Sequence, residues 1–251
     1  MISQSASIRV PRANNLSLSV IIPCFNEGKR IALTLKKCQE FFSEFFGAES
    51  RYEIIVVDDG SSDGTSSTVK TFFPDVRLSV LNVNKGKGAA VKAGVLVARG
   101  DFYLFMDADC STPLDEFIKI YSKRRNGSCV IGSRYINGSR FILPPPKMRQ
   151  IISRIFNFTV RLFFGLKIFD TQCGFKLFSA KMAQDIFSRL KTDGFAFDVE
   201  VLYRARQNGY QVVEVPIAWQ FFCGKPIYSL KLMKALPEII KFWYETIFRS
   251  S

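Results

Sequence analysis

Histidine is absent from this chain of 251 residues. With it go imidazole general bases, imidazole metal ligands and the activation of a serine or cysteine nucleophile by a neighbouring ring. Paired cysteine motifs are missing too. The six cysteines (Cys24, Cys38, Cys110, Cys129, Cys173 and Cys223) are scattered with no C-x-x-C pair, which favours free thiols over a zinc site or a disulfide framework. No uncharged apolar run reaches the roughly 18 residues that would cross a bilayer. The polar stretch Met1 to Asn15 has no apolar core of signal-peptide length and reads as a flexible tail. Chemistry in this chain must therefore run on carboxylates, a hard metal, lysine and arginine.

Basic and aromatic side chains are plentiful. Lysine and arginine number 35 against 22 aspartate and glutamate, a net charge of +13, and there are 25 phenylalanines. Such a balance points to an anionic partner: nucleic acid, a membrane surface or a phosphorylated substrate. The length allows one large α/β domain or two small ones.

Buried strands and helices alternate along the first half. Leu16–Pro23, Tyr52–Val57, Val76–Leu81 and Phe102–Met106 read as strands, the apolar runs being of the kind buried on both faces of a mostly parallel sheet. Between them, residues 29–46, 65–73 and 89–98 read as helices. The alternation predicts right-handed βαβ units and an open α/β sheet. Pro144-Pro145-Pro146 reads as a semi-rigid connection. Met148–Leu166 and Ser229–Phe248 have basic amphipathic helical patterns, suited either to a membrane interface or to core packing.

Polar clusters close three of the strands: Pro23 to Glu27, Asp58 to Gly60, and Asp107 to Asp109. Ligands of open α/β sheets sit beyond the carboxyl ends of the strands. Asp107-Ala108-Asp109 can place two carboxylates on one hard divalent cation, Mg2+ or Mn2+; alone, so short a pattern more often punctuates a turn and caps the helix that Pro113 would open, and the other clusters tip the balance to the cation. Together the three ends predict a nucleotide site whose carboxylates meet base, ribose and a metal-bound diphosphate. The loop Gly86-Lys87-Gly88, before a helix, is expected to offer backbone N–H groups and a cation to anionic oxygens, although its spacing is not that of a P-loop.

The ordered set of motifs resembles the family-2 glycosyltransferases of the GT-A fold. Its members are residues 19–27 (SVIIPCFNE), 56–61 (VVDDGS), 84–88 (NKGKG), 107–109 (DAD) and 132–135 (GSRY). Residues 170–178 (DTQCGFKLF) and 195–200 (FAFDVE) narrow the resemblance to dolichyl-phosphate β-glucosyltransferases and related polyprenyl-phosphate enzymes. It spans about Leu18 to Trp219 and implies a GT-A domain over residues 16–220; the amphipathic pattern that follows marks 221–251 as a separate C-terminal segment suited to a membrane surface.

By implication the activity is an inverting transfer of glucose from UDP-glucose to dolichyl or another polyprenyl phosphate, at the cytosolic face of a membrane (endoplasmic reticulum or plasma membrane). Carried over by position, Pro23, Phe25, Glu27, Val56 and Asp58 would hold the uridine with Asp59 nearby, and Lys87 would meet the diphosphate. Asp107 and Asp109 would bind the metal and Ala108 would line the sugar nucleotide. Arg134, Arg149 and Ser153 would grip the acceptor phosphate, assisted by Lys176. Ser111 stands where related mannosyl enzymes have a metal-binding glutamine, and Asp198 and Glu200 lie in a motif without an assigned role. Such relatives commonly carry a membrane helix; none is visible here, so lipid contact is expected through the two amphipathic segments. A GDP-mannose-dependent mannosyltransferase and a transferase for another sugar stay open. A nucleic-acid-binding α/β protein would explain the charge but not three acidic clusters that repel a phosphate backbone.

Overall fold

The computed structural model describes residues 17–47, 51–222 and 237–246. The tail expected over 1–15, and most of the segment expected over 221–251, lie outside the described residues. Strand β1 (Leu18–Cys24) leads into α1 (Ile31–Phe46), β2 (Tyr52–Asp58), α2 (Thr65–Phe72), β3 (Arg77–Val80), α3 (Lys87–Val97) and β4 (Phe102–Met106). Then come α4 (Glu116–Ser122), β5 (Ser128–Ser133), β6 (Arg140–Leu143), α5 (Lys147–Phe164), β7 (Phe175–Ser179), α6 (Ala180–Ser188), α7 (Phe197–Gln207), β8 (Gln211–Pro216) and β9 (Ala218–Gln220).

Seven strands form the main sheet in the order β3-β2-β1-β4-β7-β5-β8, and β6 pairs with β9 in a small second ribbon. The pairs β2–β3, β1–β2, β1–β4 and β5–β8 are parallel, whereas β7 runs antiparallel between β4 and β5. The mostly parallel α/β sheet flanked by helices agrees with the expected GT-A-like architecture. The reversal at β7 has no signal in the sequence, because alternation of burial is blind to strand direction.

The central strands of the sheet feed two cores. Val20 and Ile22 of β1 pack with Ile31, Leu35, Cys38 and Phe42 of α1 and with Phe117 of α4, while Ile21 faces α3, α6 and α7 on the other side. Many of the phenylalanines are spent here. Phe41, Phe42 and Phe45 of α1 meet Phe117 edge-on at centroid distances of 5.2–6.2 Å, a favoured arrangement of ring quadrupoles. Five of the cysteines, Cys24, Cys38, Cys110, Cys129 and Cys173, are free and buried. Burial pushes the Cys24 and Cys129 thiols far up and that of Cys173 up to about 12, so these three are not thiolate nucleophiles at neutral pH.

Helix α3 approaches β1 closely because its residues are small. A Cβ on Gly94 would fall 2.4 Å from Ile21 Cγ2 and 3.1 Å from Val57 Cγ2. Two effects compete in Gly94→Ala. Helix propensity favours alanine by about 1 kcal/mol, while overpacking a rigid β-branched core costs about 1–3 kcal/mol. Overpacking should win: urea denaturation is expected to show a net loss of up to about 2 kcal/mol, where propensity alone would show a gain.

Candidate active site

The parallel register of β2, β1 and β4 aligns Cys24 with Asp58 and brings the three polar strand ends side by side. The turns after β1 and β2 are clasped together. Asn26 N–H donates to Ser61 Oγ at 2.8 Å, Ser62 N–H to Asn26 Oδ1 at 3.0 Å, Glu27 N–H to Thr65 Oγ1 at 3.0 Å and Gly28 N–H to Asp63 Oδ2 at 2.9 Å. Asn26 takes the left-handed conformation, φ +54°, that this clasp demands. Of the expected uridine residues, Phe25 is exposed, Glu27 pairs with Arg30 at 2.9 Å, and Pro23 and Val56 lie buried in their strands. Asp58 is fully buried, accepting Ser61 N–H at 2.9 Å and the Ser66 hydroxyl. Its place is beneath the turn, which it shapes.

Asp59 turns the other way. Its two oxygens accept Lys85 N–H at 2.8 Å and Gly86 N–H at 2.9 Å. Gly88 N–H donates to Gly194 O at 3.2 Å and Ala89 N–H to Asp193 O at 3.0 Å. The expectation that this loop presents its amides to an anionic ligand is corrected for Gly86 and Gly88, whose N–H groups are taken within the chain. Its glycines serve packing, since a Cβ on Gly86 (φ +114°) or Gly88 would sit 2.5 Å from the carbonyl oxygen of Asp193 or Thr192. What the loop presents is the Lys87 side chain, whose Nζ reaches Asp107 Oδ1 at 2.7 Å.

Asp107 and Asp109 stand half-buried at the end of β4, as expected. Asp107 N–H donates to Gly174 O at 3.0 Å, and a Cβ on Gly174 would lie 2.1 Å from Asp107 Oδ2. Asp109 Oδ1 accepts Ser111 N–H at 3.0 Å, and buried Ala108 accepts the Thr34 hydroxyl through its carbonyl at 2.6 Å. Asp107, Ser111, Thr112 and Gly174 line one recess.

From Gly174 the chain leads back over four peptide steps, at most about 15 Å, to Asp170 and a cluster of arginines. Arg134 Nε and Nη2 donate to Asp170 Oδ2 and Oδ1 at 2.7 and 2.8 Å. Burial works against the Arg134 charge, and the Asp170 carboxylate overrides it, holding the guanidinium pKa well above its ordinary value. Trp219 lies between Arg134, 5.4 Å from its ring centre, and Arg149, 5.6 Å away. Arg149 also covers Phe221 at 4.4 Å, and Arg154 lies 5.7 Å from Tyr135. Tyr135 OH donates to Ser153 Oγ at 2.9 Å. Arg134, Arg149 and Ser153 thus come together, with Tyr135, Trp219 and Phe221 as aromatic partners that inspection of the sequence did not single out. Arginine–aromatic contacts of this kind contribute about 0.5–2 kcal/mol each.

Residues 19–187 match glycosyl transferase family 2. The chain belongs to that family. It is 35% identical over 227 residues to the dolichyl-phosphate beta-glucosyltransferase of Dictyostelium discoideum, covering 85% of this chain and 69% of the relative. With the dolichyl-phosphate beta-glucosyltransferase of Saccharomyces cerevisiae it shares 34% identity over 259 residues, 93% of this chain and 77% of the relative. The fold also matches the crystal structure of glucosyl-3-phosphoglycerate synthase from Mycobacterium tuberculosis in complex with Mn2+, UDP and glucosyl-3-phosphoglycerate. That match has a TM-score of 0.64 at 15% identity and covers 90% of this chain and 80% of the other.

For a family-2 enzyme the donor set at the end of β4 suits a hard divalent ion. Among the described residues no group of three or more His, Cys, Asp or Glu could hold a metal alone; two carboxylates such as Asp107 and Asp109 would leave positions for water and phosphate oxygens on a bound Mg2+ or Mn2+. The bare Gly174 backbone is the space that keeps Asp107 seated there.

Lys176 sits elsewhere than expected. Its side chain is fully buried, with Nζ 2.6 Å from Cys173 O and 2.5 Å from Asp198 Oδ1, so it braces the 173–176 turn and is not presented to an acceptor. Burial pushes the Asp198 carboxyl up, and the Lys176 ammonium opposes that push. Glu200, also buried, accepts Thr192 N–H at 2.8 Å, Lys191 N–H at 3.1 Å and Arg204 Nε at 2.7 Å, pinning the loop that holds Gly88 and Ala89. The motif over 195–200 is thus a pair of buried anchors behind the site. Asp198→Leu should cost about 3–5 kcal/mol because it strands a buried ammonium, and adding Lys176→Met should recover most of that loss. Chemical denaturation of the two variants checks both signs.

Proposed function

We propose that this chain transfers glucose from UDP-glucose to dolichyl or another polyprenyl phosphate, with inversion at the anomeric carbon. One observation supports this above others. The 170–174 loop links two carboxylates suited to a metal–diphosphate with an arginine–aromatic cluster suited to a second anion, and that cluster rests on a helix with an uncovered apolar face. The curated relatives supply the sugar and the lipid; the geometry supplies a reason for two phosphate sites and an oily neighbour.

Arg149, Ser153 and Asn157 recur at four-residue spacing on α5. Asn157 Oδ1 accepts Thr171 N–H at 2.9 Å and ties the helix to the loop. Phe156, Val160 and Phe164 face the core, while Met148, Ile151, Ile155, Phe158 and Leu162, at alternating spacings of three and four, stand exposed. Core packing therefore accounts for one face of the helix, and the other is left exposed. An exposed stripe of this kind with Arg154 and Arg161 beside it fits the interface of an anionic membrane. No helix among the described residues is long and apolar enough to cross one.

The division of labour follows. Lys87, Asp107 and Asp109 take the diphosphate end, where a bound Mg2+ or Mn2+ would stabilise leaving-group charge. Arg134 and Arg149 hold the acceptor phosphate, Arg134 kept rigid by Asp170. A phosphate monoester, with its second pKa near about 6, is already a nucleophile at neutral pH, so a chain without histidine needs no side chain to deprotonate it. Holding two anions in line is the protein's main contribution.

Arg149→Met should lower kcat/KM for the lipid phosphate by roughly 10- to 100-fold, the size of one charge-assisted contact of about 1.5–3 kcal/mol. KM for UDP-glucose should stay within about threefold; an unchanged response to the lipid phosphate would remove Arg149 from the clamp. Ile155→Asp with Phe158→Asp should abolish co-flotation with vesicles of mixed neutral and anionic lipid, since each side chain contributes about 1.5–3 kcal/mol on burial. Undiminished flotation would place the membrane contact elsewhere.

A further inference from the structure

Lys87 does more than its expected contact with a diphosphate explains. Its Nζ is 2.7 Å from Asp107 Oδ1, on the carboxylate that a divalent ion would use, and 4.9 Å from the centre of the Phe105 ring. The backbone on either side of Lys87 is held in place. Lys85 and Gly86 are bonded to Asp59, and Gly88 and Ala89 to the carbonyls of Gly194 and Asp193. Asp107 is equally constrained: its N–H is bonded to Gly174 O, and its Oδ2 lies where a Cβ of residue 174 would be. The part of this pair that can move is the lysine stem, whose side chain is 21% exposed. Lys176, the other cation against Phe105, is fully buried and bound to Asp198.

Resting on the functional reading above, we infer that Lys87 is an exchangeable counter-ion that couples donor and metal binding. Paired with Asp107, its charge opposes a divalent ion at the same carboxylate. A nucleoside diphosphate offers the ammonium more negative charge than one carboxylate does, and draws it off Asp107. Asp107 is then open to the divalent ion, so nucleotide and metal each tighten the other by the same factor, as linkage requires. A lysine fixed on Asp107 would oppose the metal equally with and without nucleotide, and its removal would leave the coupling between the two unchanged.

The test titrates the full chain with Mn2+, followed by its paramagnetic resonance signal, with and without UDP. Binding of UDP is followed by calorimetry, with and without Mn2+. Wild-type protein should bind Mn2+ weakly alone and at least about tenfold more tightly with UDP. Lys87→Met should bind Mn2+ alone several-fold more tightly than wild type, and the UDP-dependent gain should shrink at least about threefold. Lys87→Arg should keep the wild-type pattern. So should Lys85→Met, which removes an exposed charge from the same loop and controls for net charge. Circular dichroism confirms that each variant is folded. Lys87→Met with unchanged Mn2+ affinity or undiminished coupling would overturn the inference, as would Lys85→Met behaving like it. Wild-type protein that bound neither Mn2+ nor UDP would overturn the functional reading, and this inference with it.

Discussion

The Arg134–Asp170 pair is the contact on which the rest of the site depends. It is bidentate and nearly dry, with Arg134 at 9% and Asp170 at 0% side-chain exposure. A buried pair of this kind contributes little net stability over an apolar replacement, but breaking it costs several kcal/mol. Its value here lies in geometry. Asp170 opens the 170–174 loop, Glu214 holds that loop from behind through the N–H groups of Phe169 and Asp170 at 2.9 and 3.0 Å, and Gly174 at the far end seats Asp107. One ion pair thereby helps set the spacing between the Asp107 carboxylate and the arginine–aromatic cluster.

Charge in the interior follows the same economy. Phe105 separates two lysine–aspartate pairs, Lys87 with Asp107 and Lys176 with Asp198. The outer pair is partly exposed and the inner one is sealed. Behind them the amino end of α7 gathers Asp198 and Glu200 in its first turn, while Glu238 accepts the N–H of Ala196 at 2.9 Å, an arrangement that its dipole favours. The strongly basic balance of the whole chain therefore coexists with an acidic framework behind the site. Basic side chains gather instead at the arginine–aromatic cluster and along α5, beside the apolar stripe.

Much of this was legible in the sequence. Strands β1, β2 and β4 announce themselves as apolar runs because they are buried on both faces, and their polar ends meet because the strands are parallel neighbours. The illegible parts share one cause, namely partners distant along the chain. The Gly86 and Gly88 amides look available until Asp59 takes the first and Gly194 the second. Lys176 looks like a phosphate ligand until Asp198, 22 residues on, folds over it. Strand β7 carries no mark of its reversed direction. Helix α5 read as a single amphipathic pattern, and the structure buries Phe156, Val160 and Phe164 while leaving a second apolar stripe exposed. Arg149 and Ser153 came from resemblance alone; the reason they belong beside Arg134 is the Tyr135 and Trp219 surface between them.

The most direct measurement of the central claim is transfer of labelled sugar into the lipid phase, from UDP-glucose and separately from GDP-mannose, with dolichyl phosphate in detergent and Mg2+ or Mn2+, with and without EDTA. The account predicts label moving from UDP-glucose only, abolished by EDTA. Transfer from GDP-mannose would contradict the sugar assignment. Absence of transfer from either donor, in protein that binds UDP, would contradict the lipid phosphate as acceptor.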